Sequence, residues 1–287
     1  MSPPAAPPLF EIVKTTLGAT SIRNNVVNEI MHNPVGPWKE ANILYVDQTQ
    51  FRRRLWEPFS SQQRFFTVFD VGLGAGANAA AILTAFQEEK AKGCKASLCL
   101  VSFEIDLRLM KFTLKHLDHF PELIPFGEAF STLLEKHHWQ GPDIEWYLRK
   151  GSFTDKIALE SHLANLVLYD AYSPKKNPEM WSYKTFRDLY QKCRKENEGA
   201  CSLYTYSRST SIRSALLAAG FFVGQGIATG QKDETTEAAT SLATLSHPLS
   251  TPWLGRWQRS SNALPIDYEE FPDVDFSRLV TEHPQFS

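Results

Sequence analysis

Residues 67–81 read TVFDVGLGAGANAAA: an apolar run carrying Asp70, glycines at the alternate positions 72, 74 and 76, then a stretch rich in alanine. The first part has the pattern of a strand buried on both faces and the last part that of a helix, so the glycines occupy the turn between them. Three of the chain's 15 glycines fall within five residues. A tight turn explains some of that; the removal of Cβ atoms also lets a small molecule lie against bare main chain, with the N–H groups of a helix start pointing at it.

The same alternation continues downstream. TVFDVG is followed by the apolar stretches SLCLVSFE, IEWYLRKG, NLVLYDAY, ACSLYTYS and FFVGQGI, interleaved with NAAAILTAFQEEK, DLRLMKFTLKHL, TDKIALESHL, MWSYKTFRDLYQKC and STSIRSALLAAG, which have helical spacing. Strand then helix, repeated, predicts an α/β fold whose mostly parallel, seven-stranded sheet is covered by helices on both faces. ATSLATLS is the expected last strand. Upstream, LFEIVKTT and SIRNNVVNEIMH flank LGAT and read as a β-hairpin, and GPWKEANILYVDQTQFRRRL reads as helical. The pattern divides the chain into an N-terminal tail, hairpin and helix over 1–60, a main domain over 61–246, and an irregular tail over 247–287.

Composition bounds what such a chain does. With 43% hydrophobic residues in 287, it can bury a large core. No apolar run is long enough for a membrane helix, and MSPPAAPPLF lacks the features of a signal peptide, so no membrane partner is expected. Cys94, Cys99, Cys193 and Cys201 form no CxxC pair and read as reduced thiols of a cytoplasmic protein. A net charge of −2 argues against nonspecific coating of nucleic acid, while leaving room for local patches such as Arg52–Arg54 or Lys175 and Lys176. No metal site is expected, since His137 and His138 have no second ligand cluster at zinc spacing.

In open α/β sheets, ligands bind beyond the carboxyl ends of the strands. At the first such end stand Asp70, Gly72, Gly74, Gly76 and Asn78. The glycines alone also satisfy the dinucleotide fingerprint. However, a carboxylate at position 70 repels a pyrophosphate and suits an ammonium group, and Glu104, which ends SLCLVSFE, comes later than the acid of that fingerprint. Glu104 can accept both hydrogens of a ribose diol. A ligand with a ribose, an ammonium group and no phosphate is S-adenosylmethionine. At the end of NLVLYDAY, Asp170 can orient an amine beside a sulfonium methyl donor and offset the charge that develops on nitrogen.

DVGLGAGAN, SFEID and LYDAYSPKKNPEMW together resemble the MnmC-like methyltransferases, the S-adenosylmethionine-dependent part of the tRNA 5-methylaminomethyl-2-thiouridine biosynthesis enzymes and their stand-alone relatives. The family's DxFxPxKNPxMW-like motif is matched here by Asp170, Tyr172, Pro174, Lys176, Asn177, Pro178, Met180 and Trp181. The resemblance implies a class I, Rossmann-like methyltransferase fold and methylation of an aminomethyl group on a wobble uridine of tRNA. It implies Asp170 as the catalytic carboxylate, with Asp70, Gly72, Gly74, Gly76, Asn78 and Glu104 about the cofactor. Adenine recognition falls to Ser152 or to Asp155, since the family's acid after the third strand is absent from Lys150–Phe153. Tyr172, Lys176, Asn177 and Trp181 become substrate-side residues. The flavin-dependent oxidase part of the bifunctional enzyme has no counterpart in the sequence, so a separate oxidase or aminomethyl-forming enzyme is the expected upstream partner. Alternatives are transfer to a small amine, aminopropyl transfer, a nicotinamide-dependent oxidoreductase, and a cofactor-binding subunit without catalysis.

Overall fold

The computed structural model describes residues 8–26, 29–30, 35–57, 63–228 and 233–287. The proline-rich start, residues 31–34, the 60/61 boundary and residues 229–232 lie outside the described residues. Strands β1 (Phe10–Lys14), β2 (Thr20–Asn24) and β3 (Glu29–Ile30) form a small antiparallel sheet, the expected hairpin with a short third strand added. Helix α1 (Pro37–Ala41) passes into a π-helix, Asn42–Asp47, and α2 (Phe51–Arg54) follows.

The main sheet alternates with helices: β4 (Phe66–Val71), α3 (Ala77–Ala91), β5 (Leu98–Glu104), α4 (Arg108–Lys115), α5 (Gly127–Lys136), β6 (His138–Gly141), β7 (Ile144–Lys150) and α6 (Phe153–Leu159). Then come β8 (Leu166–Tyr169), α7 (Tyr183–Gln191), β9 (Ser202–Thr205), α8 (Thr210–Ala218), β10 (Phe222–Gly226) and β11 (Thr235–Ala239). The strand order is β10-β11-β9-β8-β4-β5-β7-β6. β9, β8, β4, β5 and β7 are parallel; β11 pairs antiparallel with β9 and β10, and β6 antiparallel with β7.

β4, β8 and β9 are buried along their whole length, which is why β8 reads as an unbroken apolar run and β4 as one interrupted only by Thr67 and Asp70. Alternate residues feed two cores. Val68, Leu100 and Leu168 pack against α3, α4 and α5. Phe69, Val101 and Tyr169 pack against α6, α7 and α8. Among the described residues no helix is long and apolar enough to cross a membrane.

Three expectations change. The sheet has eight strands, because the short segment HWQG folds back on β7 as an edge strand. The last strand is TTEAA, and ATSLATLS holds a 3₁₀ turn over Leu242–Thr244 instead. The polar letters of β11 hide its central position, where Glu237 is buried and accepts the main-chain N–H groups of Ser246 and His247. The segment after 247 is not irregular throughout: α9 (Thr251–Trp257) and α10 (Phe276–Thr281) bury Trp253, Trp257, Phe276 and Val280 in the core beside α8.

The first strand, β4, lies between β5 and β8, so the connections from it run to opposite sides and open a crevice at its carboxyl end.

Candidate active site

At that crevice the three glycines have positive φ of 93°, 53° and 87°, and each serves a different end. A Cβ on Gly72 would stand 2.7 Å from the Asp170 carbonyl oxygen, so this glycine lets the turns after β4 and β8 touch. A Cβ on Gly76 would stand 2.6 Å from Met110 and 2.9 Å from Phe130, so this one seats α3 against α4 and α5. At Gly74 the same atom would meet nothing nearer than 3.8 Å. There the main chain faces open space.

That space is a cavity of about 740 Å³. The glycine turn forms its floor and Asn78 its edge. Glu104 closes the end of β5, and Gly151 with Ser152 follows β7. Asp170, Tyr172, Ser173 and Asn177 follow β8, and Tyr206 follows β9. The N-terminal sheet and α1 form a further wall through Phe10, Asn24, Val26 and Glu40.

Two carboxylates are fixed within it. Glu104 accepts the main-chain N–H of Gly74 at 2.9 Å through one oxygen and that of Asp106 at 2.8 Å through the other, so it pins the open glycine to the end of β5. Burial raises its pKa, against the lowering effect of those N–H groups. Asp170 accepts the Asn78 side-chain amide at 2.8 Å. Arg108, the one Lys or Arg among the lining residues, forks onto Asp106. The cavity is therefore acidic, with Glu40, Glu104, Asp106, Asp170 and Glu179 around it.

Asp70 is placed differently from its expected role. It is fully buried and does not line the cavity; its Oδ2 accepts the Ser102 hydroxyl at 2.7 Å, and Ser102 in turn accepts the Trp146 indole N–H at 2.9 Å. Direct contact with an ammonium group is thus excluded in this geometry. The Asp70 Oδ1 has no hydrogen-bond partner among the described residues. Burial foremost, then the charges of Asp170 and Glu104, push its pKa from 3.8 up to about 7, against the Ser102 hydrogen bond. The folded protein then holds this proton more tightly than the unfolded chain, so stability falls as pH rises from about 4 to about 7, by an amount on the order of 4 kcal/mol. Asp70→Asn keeps an acceptor for Ser102 and removes the charge. We expect it to gain about 2 kcal/mol at pH 8 and to lose about 2 kcal/mol at pH 4, read from urea midpoints, because the unpartnered amide costs about the same at both. An equal change at both pH values would contradict this account.

Among the other expected residues, Gly72, Gly74, Asn78, Glu104, Ser152, Asp170, Tyr172 and Asn177 come together on the cavity. Gly76 does not line it. Trp181 is fully buried and donates its indole N–H to the Tyr172 carbonyl at 2.7 Å, so it supports the loop rather than facing a substrate. Lys176 is exposed and does not line the cavity. The sequence reading did not single out Glu40, Glu179 or Tyr206 as lining residues. All four cysteines are free and buried.

Comparison with known proteins agrees with this architecture. A family model described as S-adenosyl-L-methionine-dependent methyltransferase matches residues 135–241. The tRNA 5-methylaminomethyl-2-thiouridine biosynthesis bifunctional protein MnmC of Vibrio campbellii is 26% identical over 250 residues, covering 80% of this chain and 35% of that protein. Its namesake from Caulobacter vibrioides is 30% identical over 190 residues, covering 62% and 30%. The chain thus spans about a third of the length of the curated relatives it matches. The crystal structure of MnmC2 from Aquifex aeolicus superposes with a TM-score of 0.70 at 22% identity, over 98% of this chain and 86% of that one, a likeness of fold. S-adenosyl-L-methionine is the cofactor that the matched family uses. The chain is thus similar to the MnmC proteins over a region that matches an S-adenosyl-L-methionine-dependent methyltransferase family, and it shares their fold.

Proposed function

We propose that the chain methylates the amine nitrogen of an aminomethyl group on a wobble uridine of tRNA. The observation that carries the reading is the Asp170 carboxylate, held by Asn78 on the wall of an acidic cavity directly beside the bare turn at Gly72 and Gly74. The names of the bifunctional relatives supply the acceptor.

The residues fit the cofactor. Gly74 leaves room for a ligand against main chain, Glu104 suits a ribose diol with its remaining lone pairs, and Ser152 stands where adenine would lie. Among the described residues no free basic side chain lines the cavity to favour a pyrophosphate, which weighs against a dinucleotide. S-adenosylmethionine, when bound, supplies a methyl group on a positively charged sulfur. Asp170 accepts a hydrogen bond from the amine, holds its lone pair in line, and takes up the proton that the nitrogen sheds. Its negative charge stabilises the ammonium character that builds on nitrogen. Tyr172 and Asn177 flank the acceptor. Because the acceptor is an amine, an aminomethyl-forming reaction must precede this one, and we place both in the cytoplasm, where tRNA and reduced thiols are found.

The test is incubation with radiolabelled methyl donor and tRNA bearing 5-aminomethyl-2-thiouridine, followed by digestion to nucleosides. Label is expected in the methylaminomethyl nucleoside; label confined to small amines would overturn the tRNA assignment. Lys175 and Lys176, exposed on the loop that carries Ser173 and Asn177 to the cavity, are suited to phosphate contact at its mouth. Replacing both with Ala is expected to weaken tRNA methylation without changing cofactor affinity, and to reduce the slope of log affinity against log salt by about one to two. An unchanged slope would remove these lysines from the RNA interface.

A further inference from the structure

Asp170 has a neighbour on an element that the reading above leaves unused. The N-terminal helix begins as α1 but widens to π geometry over Asn42–Asp47, a form that occurs mostly as short interruptions at functional sites. It packs on α3, the helix that starts at the glycine turn, and on β9, the strand next to β8. Its inward residues are Leu44, Tyr45 and Val46. Two of these are ordinary core residues. Tyr45 instead brings a hydroxyl into the interior, at 1% exposure, where it makes no hydrogen bond of normal length and angle among the described residues. Packing alone gives no reason to keep it, since Phe fills the same space without burying a polar atom.

The groups facing this hydroxyl are those of the cavity. Burial, then the charges of Asp170, of Glu40 on α1 and of Tyr206 after β9, and with them the approach of the hydroxyl to the Asp170 carboxylate as a hydrogen-bond donor, hold its pKa well above the ordinary value, so it stays a neutral O–H donor. Asp170 also shares its field with the buried Asp70 on β4. Asn78 already donates to Asp170 Oδ2. Glu179 also lines the cavity. With carboxylates on several sides, Asp170 keeps its own charge only if neutral donors favour the ionised form.

We propose that Tyr45 is a positioning residue for Asp170: its O–H closes onto the carboxylate as the acceptor amine enters, and together with the Asn78 amide keeps that carboxylate ionised and aimed at the acceptor nitrogen. Catalytic hydrogen bonds that are long before substrate binds commonly tighten in the complex. The inference rests on the methyl-transfer reading above and adds a residue from outside the methyltransferase motifs.

Tyr45→Phe tests it. The unfolding midpoint is expected to stay the same or rise, because the variant removes a buried hydroxyl that makes no hydrogen bond of normal geometry. The kcat for methylation of tRNA bearing 5-aminomethyl-2-thiouridine is expected to fall about tenfold, with KM for S-adenosylmethionine unchanged and the acid limb of the pH profile displaced upward by about one unit. Activity at high pH is then largely recovered. A second readout needs no turnover: with carboxyl-¹³C aspartate, the resonance assigned to Asp170 by its absence in Asp170→Asn should titrate at higher pH in Tyr45→Phe than in the wild type. A marked loss of stability, or an unchanged acid limb together with an unchanged carboxyl titration, would overturn the proposal. A wild-type protein that methylates no aminomethyluridine would instead overturn the assigned reaction, and the carboxyl titration would still decide the role of Tyr45.

Discussion

Asp170→Asn leaves the affinity for S-adenosylmethionine within a few fold and lowers methyl transfer by about a thousandfold. The two side chains have the same shape, and an Asn carbonyl can accept the Asn78 amide as Oδ2 does. Charge is what changes. A neutral amide can neither take the proton that the acceptor nitrogen loses nor offset the positive charge that grows there. Calorimetric titration of the cofactor and a single-turnover assay with labelled methyl donor separate the two effects. If cofactor affinity disappears along with turnover, Asp170 belongs to cofactor binding and the assignment of the cavity's two ends must be exchanged.

Gly74→Val has the opposite expected signature: S-adenosylmethionine binding weakens at least about a hundredfold while the fold survives. A Cβ at this position would lie 3.8 Å from the Gly72 carbonyl oxygen and 3.9 Å from Leu109, both ordinary contacts, so the core does not resist it. The cost to folding comes from a β-branched residue at φ 53°, on the order of 1–2 kcal/mol. The branched methyl groups extend into the cavity, where the cofactor would rest on main chain. Gly72→Val is a poorer probe, because its Cβ would strike the Asp170 carbonyl oxygen and disturb the turn after β8. A Gly74→Val protein that melts within a few degrees of the wild type yet binds S-adenosylmethionine normally would locate the cofactor elsewhere.

Much of this was legible in the sequence because the central strands are buried on both faces and end in their chemistry. β4, β5 and β8 each appear as an apolar run with Gly72, Glu104 or Asp170 at or just past its end, and the sheet brings those ends together. What a motif does not give is direction. Asp70 belongs to the glycine motif, yet the period of two in β4 puts it on the same face as Val68, beneath α3 and against Ser102 of β5, while the turn itself carries the ligand surface. Gly76 and Trp181 are similar: both belong to recognisable motifs, and both act in packing.

Other features depend on tertiary placement. The hairpin wall, Glu40 and Tyr45 precede the main sheet by dozens of residues and reach the cavity region only because the N-terminal helix lies across α3 and β9. β11 was masked by Glu237, a carboxylate tolerated in a central strand because main-chain N–H groups from Ser246 and His247 satisfy it. The edge strand β6 is four residues long and ends in glycine, too short to announce a period.

The claim on which the rest stands is that a sulfonium cofactor lies on the main chain at Gly74, between Glu104 and Asp170. A crystal grown with S-adenosylmethionine tests it most directly. The account predicts the ribose hydroxyls on the Glu104 carboxylate and the methyl group directed toward Asp170. Density for the cofactor at another site, or with the methyl group facing away from Asp170, would contradict it.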